Sequence, residues 1–351
     1  MGDVYENVRV AAVQAASVFL DREGSTEKAC RLIREAGAKG ARVIGFPEGF
    51  IPAHPVWYHH HAATGTLANK LSVELFKNSV EIPGPQTRAL AAAARDANAY
   101  VVVGVCEKIP NTMGTMFNTQ VYLGPDGTII GKHRKISPTV GERLVHMGGF
   151  GDTLGTFPTA FGPLSALICG ENSNPLAIFA LTAEATRIHV MSWPNHFPTS
   201  GDPMRHRVSV DSQAFAQMSK AFVISACGVV DERMIERLTP SAEGERFLRD
   251  ADRSGGSVIV APNSRIIAGP LGGEESILYA QCDLELGIQM KLRHDFAGHY
   301  NRPDIFHLEI NRAAPKLYAV HDGRQDALLA RVDADIPALS GPAAAPLDED
   351  R

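Results

Sequence analysis

Three residues of different chemistry fall where apolar runs of this chain stop. Pro163-Leu164-Ser165-Ala166-Leu167-Ile168 reads as a short core strand that ends on Cys169. Gly170 supplies a sharp turn after the thiol, and Asn174-Pro175 reads as the N-cap and first residue of a helix. A thiol on such an elbow faces the cleft outside the strand ends, close to positive helix-terminal charge. A second run, Val43-Ile44-Gly45-Phe46, leads to Glu48, and the segment Gly131 to Thr139 follows a third and places Lys135 just ahead of Pro138. A lone cysteine more often simply packs. Carboxylate, ammonium and thiol at three strand ends together supply a base, a cation and a nucleophile, and strand ends are where sites assemble in open α/β layers.

The elements that must position them alternate along the chain. Strands are predicted over 8–14, 41–46, 100–107, 117–123, 128–132, 163–168, 188–193 and 221–226, and helices over 25–37, 85–97, 175–186 and 208–220. Gly124-Pro125-Asp126-Gly127 marks a hairpin, and Asn263-Ser264 a second one between strands over 257–262 and 265–270. This order predicts an α/β layered fold with two mixed sheets, each covered by helices on one face. A single domain is expected over 1–337, followed by a mobile Ala/Pro-rich acidic tail over 338–351.

A net charge of −5 with scattered Arg and Lys leaves no basic footprint for nucleic acid. Hydrophobic residues make up 44% of the 351, enough for a core, yet no run approaches the roughly 18 needed to span a bilayer. The acidic, polar Met1-Gly2-Asp3-Val4-Tyr5-Glu6 does not resemble a secretory leader. Five dispersed cysteines without a Cys-x-x-Cys pair point to reduced thiols and a cytoplasmic location. Adjacent histidines diverge in direction, so His59-His60-His61 reads as a loop, and no metal or cofactor is expected.

The motifs resemble the nitrilase branch of the carbon–nitrogen hydrolase superfamily. Phe46-Pro47-Glu48 is similar to its glutamate segment, and His133-Arg134-Lys135 with Pro138-Thr139 to its lysine segment. Cys169 with Glu171 is similar to its cysteine segment. Gly141-Glu142-Arg143-Leu144 and the block Asp295 to Tyr300, with Arg302-Pro303-Asp304, resemble nitrilases proper. The resemblance spans about 8–306 and implies a four-layer α-β-β-α sandwich with Glu48, Lys135 and Cys169 as catalytic triad. It also implies Glu142 as an auxiliary active-site residue, a nitrile and water as small-molecule partners, and a homodimer that builds a larger oligomer or spiral. Glu171 is expected to fix the elbow by hydrogen bonds.

Two positions depart from the family pattern. Gly170 stands where tryptophan commonly follows the nucleophile, and His146 where an aromatic often follows the Glu-Arg pair. With Trp193 they are the candidate pocket residues, and the missing aromatics imply a wider or more polar pocket. The same triad cleaves amides and carbamoyl groups, so an amidase or carbamoylase stays open beside the nitrilase. A catalytically idle binding or assembly protein is a further alternative.

Overall fold

In the first strand, β1 (Asn7–Gln14), both faces are apolar: Val8, Val10 and Ala12 join one core and Ala11 and Val13 another. Since side chains alternate along a strand, a run of this kind belongs to a sheet buried on both sides. The computed structural model describes residues 2–197, 201–238 and 241–314. The expected tail over 338–351 lies outside them.

Following β1 and α1 (Arg22–Ala38) come β2 (Val43–Gly45), α2 (Thr66–Asn78) and α3 (Pro85–Asp96). The chain continues through β3 (Tyr100–Lys108), β4 (Met116–Leu123), β5 (Ile129–Arg134), β6 (Leu164–Ile168) and α4 (Pro175–Ala183). Next are β7 (Ile188–Trp193), α5 (Met204–Ser219), β8 (Phe222–Cys227), α6 (Glu232–Leu238) and α7 (Ala242–Leu248). Last come β9 (Val258–Val260), β10 (Ile266–Ala268), β11 (Ser276–Asp283) and α8 (Leu284–Lys291).

Two mixed sheets result. The six-stranded one runs β11-β1-β2-β3-β4-β5, parallel through β1, β2 and β3 and antiparallel elsewhere. The five-stranded one runs β10-β9-β8-β7-β6, parallel through β6, β7 and β8. Val10, Val43, Val102 and Tyr122 of the first sheet meet Ala166, Val190 and Ile224 of the second. The outer face of the first packs Ile44, Val101 and Val103 under Ile33 of α1 and Leu90 of α3. Leu167, Met191 and Val223 of the second lie under Ile178 and Leu181 of α4 and Phe215 of α5. The sandwich is therefore α-β-β-α, as the resemblance implied.

Several boundaries move for local reasons. β2 is shorter than the expected 41–46, and beyond it Pro47 has no N–H to continue the ladder after Phe46 donates to Val102. The helix expected over 208–220 begins at Met204, and that over 175–186 stops at Ala183. β11, which the sequence did not reveal, pairs with β1 from Asn7↔Asp283 to Gln14↔Ser276. It is a half-exposed edge strand whose short apolar run, Ile277 to Ala280, is flanked by Ser276 and Gln281.

Candidate active site

Each expected group is delivered by a strand end. Glu48 follows β2, Lys135 follows β5, and Cys169 follows β6. The Glu48 N–H donates to Trp193 O at the end of β7 (3.0 Å), which ties the carboxylate segment to the second sheet. Gly104 of β3 makes room for it: a Cβ there would stand 2.1 Å from Pro47 O and 3.0 Å from Glu48 Cα.

β5 aims Lys135 by alternation. Lys132 and Arg134 face one way, toward Glu107 of β3 at 3.0 and 2.7 Å, and Thr119 of β4 donates to the same carboxylate. Burial opposes the Glu107 charge, but the two cations outweigh it and hold the carboxyl down at about 2. A buried ion cluster of this kind fixes register more surely than it adds stability. His133 and Lys135 face the other way.

The elbow departs from expectation in one respect. Cys169 itself, with φ 53°, takes the left-handed conformation, and Gly170 does not. A non-glycine residue held there stores roughly 1–3 kcal/mol of strain, a cost found most often at functional sites. The elbow is braced around it. Glu171 accepts N–H bonds from Ile168 (3.1 Å) and Ile136 (2.7 Å) and stands 3.1 Å from His133 Nε2. Asn172 donates to the carbonyls of Cys169 and Leu167. Asn174 caps α4 by accepting from Leu176 and Ala177, with Pro175 as its first residue. The other nitrogen of His133 faces Thr153 O, so both ring nitrogens meet acceptors. Burial alone would depress this imidazole; Glu171 outweighs it and raises it.

Glu48, Lys135 and Glu142 form one buried constellation. Lys135 Nζ donates to Glu48 Oε1 and to Glu142 Oε2, each at 2.7 Å. Burial works against the Lys135 charge, and the two carboxylates more than offset it, holding the amine well above the usual lysine range. Glu142 also accepts from Thr139 N (2.9 Å), Asn118 (2.7 Å) and His146 (3.3 Å). Burial would raise Glu142; Lys135 and His146 overcome that and keep it well below the ordinary carboxylate range. Glu48 has fewer donors, and only on Oε1, so burial pushes it up to about 7 against the pull of Lys135, with Glu142 adding to the rise. Its Oε2 is buried without a hydrogen-bond partner. Burial and the two carboxylates raise the Cys169 thiol, and Lys135 partly opposes them. Cys169 is thus a neutral thiol and Glu48 a carboxyl poised near neutrality, the combination that general-base activation of a thiol would need.

A cavity of about 520 Å³ opens onto Cys169, lined also by Thr139, Gly170, Trp193, Phe197 and Met204 among others. Gly170 and Trp193 thus stand where a pocket residue should. His146 does not. It is buried against Glu142, because the turn Val140–Leu144 carries it inward four residues after that carboxylate. Sequence reasoning also missed Asn118, His54 and Tyr58. His54 Nε2 lies 2.7 Å from the Tyr58 hydroxyl, and its Nδ1 is 3.6 Å from Glu48 Oε1. The available signal was Asn118-Thr119-Gln120, a polar interruption in an otherwise apolar strand. Among the described residues, no group of three or more His, Cys, Asp or Glu side chains is placed to hold a metal ion.

This fold and this site define a class. Residues 9–292 match the carbon-nitrogen hydrolase family, and the chain belongs to it. The chain is 36% identical over 314 residues to the nitrilase of Bacillus sp. (strain OxB-1), covering 89% of this chain and 90% of that one. It is 35% identical to the aliphatic nitrilase of Sinorhizobium fredii (strain HH103), covering 86% and 95%. The crystal structure of a carbon-nitrogen hydrolase from Helicobacter pylori G27 superposes with a TM-score of 0.67 over 86% of this chain and 97% of that one. At 18% identity, that likeness is one of fold.

Proposed function

We propose that the protein is a nitrilase that hydrolyses an organic nitrile to the carboxylic acid and ammonia, with Glu48, Lys135 and Cys169 as its catalytic residues. The observation that carries the reading is the near full-length similarity to enzymes named nitrilases. The buried carboxylate–ammonium–thiol group supports it. Cys169 Sγ adds to the nitrile carbon while Glu48 takes the thiol proton and passes it to the nitrogen, which gives a thioimidate and leaves Glu48 ionised again. Water, deprotonated by Glu48, adds to this carbon, and Lys135 stabilises the negative charge that develops. Glu48 passes the protons of that water to the nitrogen, the carbon–nitrogen bond breaks, ammonia leaves, and a thioester remains on Cys169. A second water, again activated by Glu48, releases the acid and restores the thiol. Glu142 keeps Lys135 charged and in place. Ammonia release from a matched nitrile and amide pair tests the assignment: faster turnover of the nitrile supports it, and turnover of the amide alone makes the enzyme an amidase.

The Glu48 value sets the pH dependence. Below about 7 Glu48 is protonated and cannot accept the thiol proton. kcat/KM is expected to fall about tenfold per pH unit on the acid side. Glu142→Gln removes a charge that raises Glu48 and frees Lys135 to pair with it alone, so the limb should move to lower pH. A flat profile from pH 5 to 8, or a limb that moves up in Glu142→Gln, contradicts this role for Glu48.

Gly170 governs substrate breadth. It is exposed, its φ lies outside the left-handed region, and a Cβ there would meet only Thr139 Oγ1, at 3.6 Å. The backbone therefore accepts Gly170→Trp. The added indole should exclude nitriles branched or aryl-substituted near the cyano carbon, at about 1–3 kcal/mol per misfit group, and spare slim aliphatic ones. Equal losses for both kinds would show that the side chain disturbs the elbow instead.

We further propose that residues 1–337 form one domain and that the protein is cytoplasmic and assembles as a homodimer that builds a larger oligomer. Support for assembly comes from an apolar groove of about 720 Å³ between α4, α5 and residues 296–308. Leu176, Tyr300 and Phe306 are exposed there, a patch of the kind that marks interaction sites. Among the described residues no helix is long and apolar enough to cross a membrane. Light scattering should find a dimer or larger species; a fully active monomer at working concentration rejects the assembly.

A further inference from the structure

Both ends of Asn118 hold the surroundings of the buried lysine. Its side-chain amide donates one N–H to Glu48 Oε1 at 2.6 Å and the other to Glu142 Oε1 at 2.7 Å. Its backbone carbonyl accepts the Lys135 N–H at 2.8 Å. With the two bonds from Lys135 Nζ, a closed ring runs Lys135–Glu48–Asn118–Glu142, built from four separate segments. Partner chemistry fixes the amide's orientation, since the reversed rotamer would turn its oxygen toward two carboxylates. As a consequence Glu48 Oε1 carries two donors and Oε2 carries none.

We propose that Asn118 is a positioning residue for the hydrolysis: its amide pins Oε1 of Glu48 beside Lys135 and so reserves Oε2 to take the proton of Cys169. The inference rests on the reading of Glu48 as base and Cys169 as nucleophile. Only an uncharged side chain with two donors fits this place. Aspartate would add a third carboxylate to the ring, and leucine, of similar size, would remove both bonds and leave Glu48 free to turn.

The charged and titratable groups around the ring are Lys135, Glu142, His54, Tyr58, His146 and Cys169, with Cys106 opposite Asn118 on β3. Burial drives His54 well below its ordinary range, which keeps it neutral near pH 7. Lys135 is thus the one cation bonded to Glu48. Burial favours the protonated Glu48; Lys135 opposes this, Glu142 reinforces it, and the bonds from Lys135 and Asn118 oppose it. Losing the Asn118 bond therefore leaves Glu48 ionisable, but at higher pH.

The test uses Asn118→Leu and Asn118→Ser in the full chain, the serine keeping one donor. The rate at which iodoacetamide labels Cys169 is followed against pH by peptide mass, alongside kcat and KM for a nitrile. In Asn118→Leu the acid limb of labelling is expected to rise by about one pH unit. kcat near pH 7 should fall about tenfold to a hundredfold, with KM changed by less than about threefold and part of the loss recovered at higher pH. Asn118→Ser should fall between the two, and decides the matter if the leucine variant does not fold. A parental pH limb in a folded variant, or a loss carried by KM, overturns the proposal. Labelling needs no nitrile, so a parent that turns over no nitrile would refute the substrate reading and still leave this role decided.

Discussion

Cys169→Ala is expected to leave a folded protein with no measurable turnover. On the proposed mechanism the thiol forms the covalent intermediate, and a methyl cannot replace it. Cys169→Ser should be equally inactive, because the hydroxyl is far less acidic and Glu48 is too weak a base to activate it. The fold should persist, since the elbow is held by neighbours rather than by the sulfur. Glu171 ties it to Ile136 and Ile168, and Asn172 to the carbonyls of Leu167 and Cys169. Alanine inherits the left-handed backbone of Cys169 and its strain unchanged. Cys169→Gly removes that strain and should melt higher than Cys169→Ala, by a stability of about 1 kcal/mol. Paired activity assays and melting curves check both statements. A folded Cys169→Ala with near-parental activity would sink the covalent mechanism.

The strain at Cys169 also marks how far sequence reading reaches. That three strands end on Glu48, Lys135 and Cys169 was legible, because short apolar runs and the Pro and Gly that stop them are local signals. Which residue of Cys169-Gly170 turns left-handed was not. Glycine is the cheaper choice, and the cysteine is held in the turn by local bonds from Asn172 and by the bonds of Glu171 to Ile136 and His133, distant in sequence. Depth was equally hidden. Gly170, Trp193 and His146 look alike as candidates for a pocket, yet the first two reach the cavity and His146 is packed behind Glu142. His54 comes from a loop and Tyr58 from the single turn Val56–His59 that follows it, neither with a motif of its own, and Asn118 from the middle of a strand. β11 escaped for a different reason: its pairing with β1 spans more than 260 residues of sequence, and its half-exposed edge carries a mixed pattern. Layer order is written in alternating local elements, whereas the edge strand and the ring around Lys135 are products of long-range packing.

Removal of the cation at the centre of that ring should have the second large effect. Lys135→Ala deletes the stabiliser of negative charge, a loss of about 3–4 kcal/mol, or roughly a hundredfold to a thousandfold in kcat. It also strands Glu48 and Glu142, which share Lys135 Nζ as a donor. Breaking a buried ion pair from one side costs about 3–5 kcal/mol of stability, unless the stranded carboxylates take up protons. Both effects therefore carry a pH signature. Lys135 is among the influences that lower Glu48 and Glu142; without it both carboxyl groups titrate at higher pH in the folded protein than they do in the parent. A group raised in this way contributes stability that is complete at low pH and lost as pH rises through its folded value. The melting temperature of Lys135→Ala should consequently fall further below that of the parent at pH 8 than at pH 5, and the acid limb of any residual activity should move upward. Kinetics and melting curves at the two pH values are the measurements. A loss of about tenfold or less carried by KM would make Lys135 a substrate-binding residue. A stability deficit equal at both pH values would mean that the carboxylates do not depend on Lys135 for their charge.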